Sequence, residues 1–260
     1  MKHFQIVIML AVLSSCSGLK SIAPDSEQMV MSTLWFQQSA EMRAIYYQSF
    51  NLAEFRVQQK LETYSGKKPL AVVVDIDETI LDNSPSEAKN IRDGERYSQE
   101  RWANWISKAS AMPLPGSLEF ANYLKKEGVE LFYISNRTVE QLNSTIENLN
   151  KHHFPYADEE HVFLRSDSSS KKTRREKVSS EYEIILLIGD NLGDFNEVFD
   201  NRSDEFGKAL VDQYKEDFSN RFIVLPNPIY GSWTSALGGS NSGLSPKEIA
   251  IKRKSFLKDY

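Results

Sequence analysis

Three short apolar runs in this chain each end abruptly in polar groups, and that repetition constrains the fold more than any other feature. Residues 71–74, AVVV, lead into Asp75 and Asp77; residues 129–134 lead into Ser135, Asn136 and Arg137; residues 183–188 lead into Gly189, Asp190 and Asn191. Continuous apolar runs of this length read as strands buried on both faces. Helical patterns at 117–126, 139–150 and 171–180 separate them, and residues 161–165 and 221–225 fit two further short strands. Alternation of this kind predicts right-handed crossovers and a three-layer α/β/α fold with a parallel sheet between helices. Ligands bind such sheets at the carboxyl ends of the strands, so the polar exits are expected to meet at one edge.

The exits suit phosphoryl transfer. Two carboxylates one residue apart repel, which raises a proton affinity or calls for a cation. Asp75 is the candidate nucleophile that would form an aspartyl-phosphate, and Asp77 the acid and base that protonates the departing alkoxide and then deprotonates water. The Ser135 hydroxyl and the Lys171 ammonium would bind the phosphoryl oxygens. Lys171 is preferred to Lys172 for its spacing to Arg174 and Arg175. Asp190, with Asp75 and a loop carbonyl, offers oxygen ligands to Mg²⁺, and Asp194 is placed to orient that shell.

The beginning of the chain reads as an address. Lys2 and His3 precede an apolar run at 6–13, too short to span a bilayer, and small residues follow up to Cys16, the single cysteine. Residues 1–15 are expected to be a signal peptide and residues 16–25 a tether. LSSC at 13–16 resembles a bacterial lipobox, with Cys16 lipidated, which also accounts for a lone thiol in an exported chain. The expected location is a lipid-anchored place in the bacterial cell envelope, at the outer membrane. A formal charge of −5 argues against general affinity for nucleic acid.

Residues 26–260 fit one domain. A long helix is expected from about 26 to 63, with Leu34, Trp35, Ala40, Ala44, Ile45, Phe50, Ala53 and Val57 on its apolar side. Residues 84–110 are long for a connection and read as a small, mainly helical cap. KKTRREK at 171–177 reads mostly as a solvated helix face, and the glycine-rich 231–243 as a loop. The four histidines are scattered without zinc spacing, and GDNLGDFNEVFD lacks the spacing of a calcium loop.

DIDET at 75–79, ISNR at 134–137, Lys171 and GDNLGDF at 189–195 occur in the order found in the haloacid dehalogenase superfamily. Together with LDNSP, RWANW, LPG and LPNPIYGSW, they make the chain resemble its class C acid phosphatases, the lipoprotein e(P4) family. The resemblance implies Asp75 as nucleophile, Asp77 as acid-base and as a metal ligand through its carbonyl, Asp190 as a Mg²⁺ ligand, and Ser135 and Lys171 as phosphate ligands. It likewise implies Thr79 and Asn136 beside the substrate, and Trp102 and Tyr230 stacking on a base or nicotinamide ring; the alternative, that these aromatics only pack a core or lid, stays open. The implied activity is Mg²⁺-dependent release of phosphate from 5′-nucleotides or nicotinamide mononucleotide. Two other readings are kept: a ligand-binding lipoprotein on the same fold, and a phosphotransferase. Oligomeric state is left open, a homodimer included.

Overall fold

A computed structural model describes residues 24–202, 205–237 and 244–260. The expected signal peptide, Cys16 and most of the tether lie outside the described residues.

The central sheet forms from β1 (Leu70–Val74), β4 (Glu130–Thr138), β5 (Val162–Arg165), β6 (Glu183–Gly189) and β7 (Phe222–Val224), all parallel, in the order β5-β4-β1-β6-β7. The expected α/β/α architecture with a parallel sheet is borne out. Alternate residues of each strand enter opposite layers. Val72, Val74, Leu131, Tyr133, Leu186 and Ile188 pack in one core with α3 (Ala40–Thr63), α6 (Ser117–Lys126) and α7 (Leu142–Lys151). Ala71, Val73, Phe132, Ile134 and Leu187 pack in the other with Val178 of α8 (Lys172–Glu181) and with Phe195, Phe199 and Phe222. Each large side chain fully buried here stabilises the fold by about 1.5–3 kcal/mol. The chain leaves β1 for β4 and β5 on one side, then returns to place β6 on the other. The crevice between β1 and β6 is therefore the topological switch point, where open α/β sheets bind ligands.

The single helix expected from 26 to 63 is three: α1 (Pro24–Gln28), α2 (Val30–Gln38) and α3. Ser39 is extended, at φ −77° and ψ 137°, and its hydroxyl accepts from the Met42 N–H at 3.1 Å, capping α3. The break rephases the helix. Its buried stripe is Met42, Tyr46, Phe50, Ala53 and Val57, whereas Leu34, Ala40, Ala44 and Ile45 are exposed.

Between β1 and α6 lie a short antiparallel pair, β2 (Leu81–Asp82) with β3 (Met112–Pro113), and, between these two strands, the helices α4 (Ser84–Asp93) and α5 (Gln99–Ile106). Beyond β6 come α9 (Lys208–Gln213), α10 (Ser232–Ala236) and α11 (Pro246–Ser255). α10 occupies part of the stretch read as loop, because Gly231 lets the chain turn into a helical segment whose Thr234 and Trp233 bond back to Gly231 and Tyr230. Among the described residues no helix is long and apolar enough to cross a membrane.

Candidate active site

The β1 ladder continues one residue past the strand, as the Asp75 N–H donates to the Ile188 carbonyl at 2.9 Å, so Asp75 is fixed between β1 and β6. The turn that follows puts Glu78 at φ 54°, in the left-handed region, and the Tyr46 hydroxyl of α3 donates to its carbonyl. At the exit of β6, a Cβ on Gly189 would stand 2.2 Å from the Asp194 carboxylate, so only glycine lets Asp194 come this close.

The β4 strand runs past its expected end at Ile134. Its register to β5 shifts between Ile134 and Thr138, an irregularity that keeps 135–138 extended. Ser135 and Arg137 are consequently both buried on one face while Asn136 is exposed between them.

Lys171, the residue preceding α8, is the buried hub. Its ammonium pairs with Asp75 and lies 2.6 Å from Asp194 Oδ1. Lys172 is exposed and bridges Glu197 at 2.9 Å. Arg174 and Arg175, read with the solvated face, are exceptions to it: Arg174 donates to Asn136 Oδ1 at 2.7 Å, and Arg175 to the Gly193 and Asp194 carbonyls at 3.0 and 3.1 Å. They sit on the same helix face as Lys171 and tie the β4 and β6 exits to α8.

Asp77 points elsewhere. Its Oδ1 accepts from Arg137 Nη2 and Asn83 Nδ2, both at 2.8 Å, and its Oδ2 from Ser135 Oγ at 3.1 Å. Asp190 Oδ2 accepts from Asn227 Nδ2 at 2.7 Å. No motif in the sequence assigns Arg137, Asn83 or Asn227 a role; the signal for Arg137 is its two-residue spacing from Ser135 on a strand. Thr79, expected at the substrate, lies instead behind the carboxylates, fully buried with its hydroxyl 3.4 Å from Asp75 and from Asp190, because the tight turn after β1 folds it inward.

A cavity of about 610 Å³ opens over these groups. Asp75, Asp77, Ser135, Lys171 and Asp190 line its floor, Asn136 its rim, and Trp102 of α5, Tyr97 and Tyr230 its outer wall. The site joins a charged floor to an aromatic wall.

Asp75, Asp190 and Asp194 each bring one carboxylate oxygen within 4.8 Å of the others. Burial pushes Asp75 up to about 7 against the pull of Lys171, with Asp194 and then Asp77 adding to the rise. Burial, then Asp194 and Asp75, likewise pushes Asp190 well above the usual carboxylate range. Burial disfavours the Lys171 ammonium, but Asp194 and Asp75 outweigh it and hold its pKa above the ordinary lysine value. One ammonium does not balance three clustered carboxylates, two of them buried and Asp190 half-buried, and an all-oxygen donor set of this kind fits a hard divalent cation.

A carboxylate whose pKa is higher folded than unfolded destabilises the fold most above its folded pKa, and the penalty shrinks as pH falls through that value. Without divalent metal, the melting temperature is expected to rise as pH is lowered from about 8 to about 6, and to change less over that range with Mg²⁺ added. A flat or falling profile in chelator would refute the uncompensated carboxylates.

The family model described as HAD superfamily, subfamily IIIB (Acid phosphatase) matches residues 13–233. The chain belongs to this family. Among solved structures, the class C acid phosphatase from Bacillus anthracis superposes with a TM-score of 0.86 at 39% identity, covering 91% of this chain and 99% of that one; the same protein with tungstate bound matches equally well. The resemblance to class C acid phosphatases read from the motifs is thereby borne out. A stem 31 kDa glycoprotein of Glycine max is 30% identical over 190 residues, 70% of this chain and 58% of the relative. Acid phosphatase 1 of Solanum lycopersicum is 26% identical over 162 residues, 61% of this chain and 57% of the relative. The chain spans little more than half the length of these curated relatives.

Proposed function

We propose that this protein is a Mg²⁺-dependent phosphomonoesterase that hydrolyses 5′-nucleotides or nicotinamide mononucleotide through an aspartyl-phosphate on Asp75. The observation that carries the reading is the cluster of Asp75, Lys171 and Asp190 at the switch point, beside a cavity that Trp102, Tyr97 and Tyr230 also line. The tungstate bound to the Bacillus anthracis relative, a tetrahedral oxyanion, supports a phosphate-sized anion site in the family.

In this reading an Asp75 oxygen attacks phosphorus in line with the ester oxygen, which takes a proton from Asp77 as it departs. Water then gives its proton to Asp77, attacks phosphorus and releases Asp75. Lys171 and the Ser135 hydroxyl hold the phosphoryl oxygens as charge moves onto them. Asp75 and Asp190, with Asp194 beside them and the Asp77 carbonyl, would hold a divalent ion, which would neutralise charge on the transferring phosphoryl group. Trp102 and Tyr230 would offer π-faces to the base, a contact that tolerates different rings. The α4–α5 segment, within 84–110, would act as the cap that excludes water. Cys16, lipidated, would hold the domain at the outer membrane of a bacterial envelope, since several acyl chains each contribute about 0.8 kcal/mol per buried methylene.

The test is phosphate release from 5′-nucleotides, 3′-nucleotides, nicotinamide mononucleotide and aryl phosphates, with Mg²⁺ and with chelator. Selective, Mg²⁺-dependent release from 5′-nucleotides supports the whole reading. Indiscriminate release leaves the phosphatase and removes the nucleotide pocket. No release from any ester favours the ligand-binding alternative; phosphate passed to added alcohols favours the phosphotransferase. Asp190→Asn, which removes one oxygen charge from the metal set, is expected to raise the Mg²⁺ concentration for half-maximal activity by at least about tenfold. An unchanged Mg²⁺ dependence would remove Asp190 as a ligand.

A further inference from the structure

We infer that Trp105 is a positioning residue that, through Asn83, holds the aromatic wall at a fixed distance from the phosphoryl floor and so sets which esters are preferred. The inference rests on the nucleotide reading above and deepens it, by assigning selectivity to a side chain that does not itself line the cavity. Asn83 belongs to the floor. It is 2% exposed, its N–H donates to Glu78 Oε1 at 2.7 Å, and its Nδ2 donates to Asp77 Oδ1 at 2.8 Å and to the Leu81 carbonyl at 3.3 Å. These bonds fix Asn83 to the turn that follows β1. Its one remaining polar side-chain atom, Oδ1, accepts from Trp105 Nε1 of α5 at 2.7 Å. An indole N–H only donates, so the amide is locked with its oxygen toward α5 and its NH₂ toward the floor.

Trp102 stands one turn earlier on the same helix, an i,i+3 neighbour of Trp105. It lines the cavity, with its ring 6.5 Å from that of Tyr97 between centroids, whereas Trp105 packs against the core. One tryptophan faces the ligand space and the other anchors the helix. Other bonds of α5 stay inside the cap: Ser98 Oγ accepts from the Arg101 N–H at 3.2 Å, and Arg101 Nε donates to Asn90 Oδ1 of α4 at 2.7 Å. They hold α5 to α4, not to the strand exits. A helix of eight residues has little stability by itself, so its place is set by such anchors. A 5′-nucleotide spans both parts, its phosphate on the floor and its base at Trp102, and the Trp105–Asn83 bond fixes the separation that the ester has to match. Without the indole N–H, α5 is free to tilt and Trp102 leaves its alignment with the base. The floor keeps its geometry, because Asn83 retains its bonds to Glu78, Asp77 and Leu81. An ester without a base does not use the wall.

The test compares adenosine 5′-monophosphate with ribose 5-phosphate, in the full protein with Mg²⁺. The two share the phosphate, the sugar carbon that bears it and the leaving oxygen, and differ in the base. Trp105→Phe is expected to lower kcat/KM for the nucleotide about tenfold, mostly through KM, and to leave ribose 5-phosphate within about twofold of wild type. Trp102→Ala should lower the ratio of the two kcat/KM values at least as far, and Trp105→Phe added to it should lower that ratio no further, because Trp105 acts only through Trp102. A merely structural Trp105 would lower both esters together. Equal losses on both, an unchanged ratio, or effects that add in the double variant would overturn the inference and leave the nucleotide reading standing. If Trp105→Phe does not fold, β-(3-benzothienyl)alanine at position 105, the same bicycle with sulfur in place of the N–H, decides by the same ratio. Wild-type protein that treats both esters alike, or a ratio that Trp102→Ala leaves unchanged, would overturn the nucleotide reading and this inference with it.

Discussion

Asp75→Asn is expected to end phosphate release, by a factor on the order of 10⁴ or more, and to leave the fold intact. An amide of the same shape fills the same space between β1 and β6 but is not a nucleophile toward phosphorus. The surroundings tolerate the change, because Lys171 keeps its contact to Asp194 at 2.6 Å. Stability should not suffer above about pH 7, where the wild-type carboxylate, raised to about 7, is charged against Asp194 and Asp77. Two measurements check this: phosphate release from 5′-nucleotides together with covalent capture of labelled phosphate, and melting at pH 8. Turnover near the wild-type rate, or label retained on the variant, would remove Asp75 as the nucleophile.

Asp75 was legible because a buried parallel strand is written as an unbroken apolar run, and its first carboxylate has to appear at the crevice. The same logic reached Ser135, Asp190 and, through the start of the following helix, Lys171. What supports these residues was less visible, because it comes from distant parts of the chain: Arg137 meets Asp77 across 60 positions and Asn227 meets Asp190 across 37. Neither partner has a composition signal. Arg174 and Arg175 were legible in principle, since positions 171, 174, 175 and 178 share one face of a helix, and Val178 is buried there. Charge composition argued for a solvated run, and periodicity argues for a buried stripe. The break at Ser39 had a local signal too, a serine three residues before Met42, but an apolar pattern on both sides of it hid the change of phase. Asp77 needed tertiary contacts for a different reason. It follows Ile76, beyond the last residue of β1, where no strand alternation fixes the direction of a side chain, and only the fork from Arg137 shows which way its carboxylate turns.

Lys171→Met is expected to cost about 3–5 kcal/mol of stability at pH 8, because it leaves buried carboxylates without their ammonium. The lysine side chain is 5% exposed and its two partners are each 8% exposed, so water does not replace the lost charge. The loss should shrink toward pH 6, since protonating Asp75 removes one of the stranded charges, and added Mg²⁺ should recover part of it by supplying the missing positive charge. Activity should fall by about 10²–10³-fold, as the phosphoryl oxygens lose a donor where charge develops. Lys172→Met is the control that gives the comparison its force. Lys172 carries the same charge one residue away, but it is 50% exposed and its bridge to Glu197 is at the surface, so its removal should leave stability almost unchanged. Thermal melts of both variants at pH 8 and pH 6 decide the matter: equal effects would mean that the buried ammonium is not the counter-charge of the site, and a large effect confined to Lys171 would mean that burial, which the two adjacent lysines do not share, sets its role.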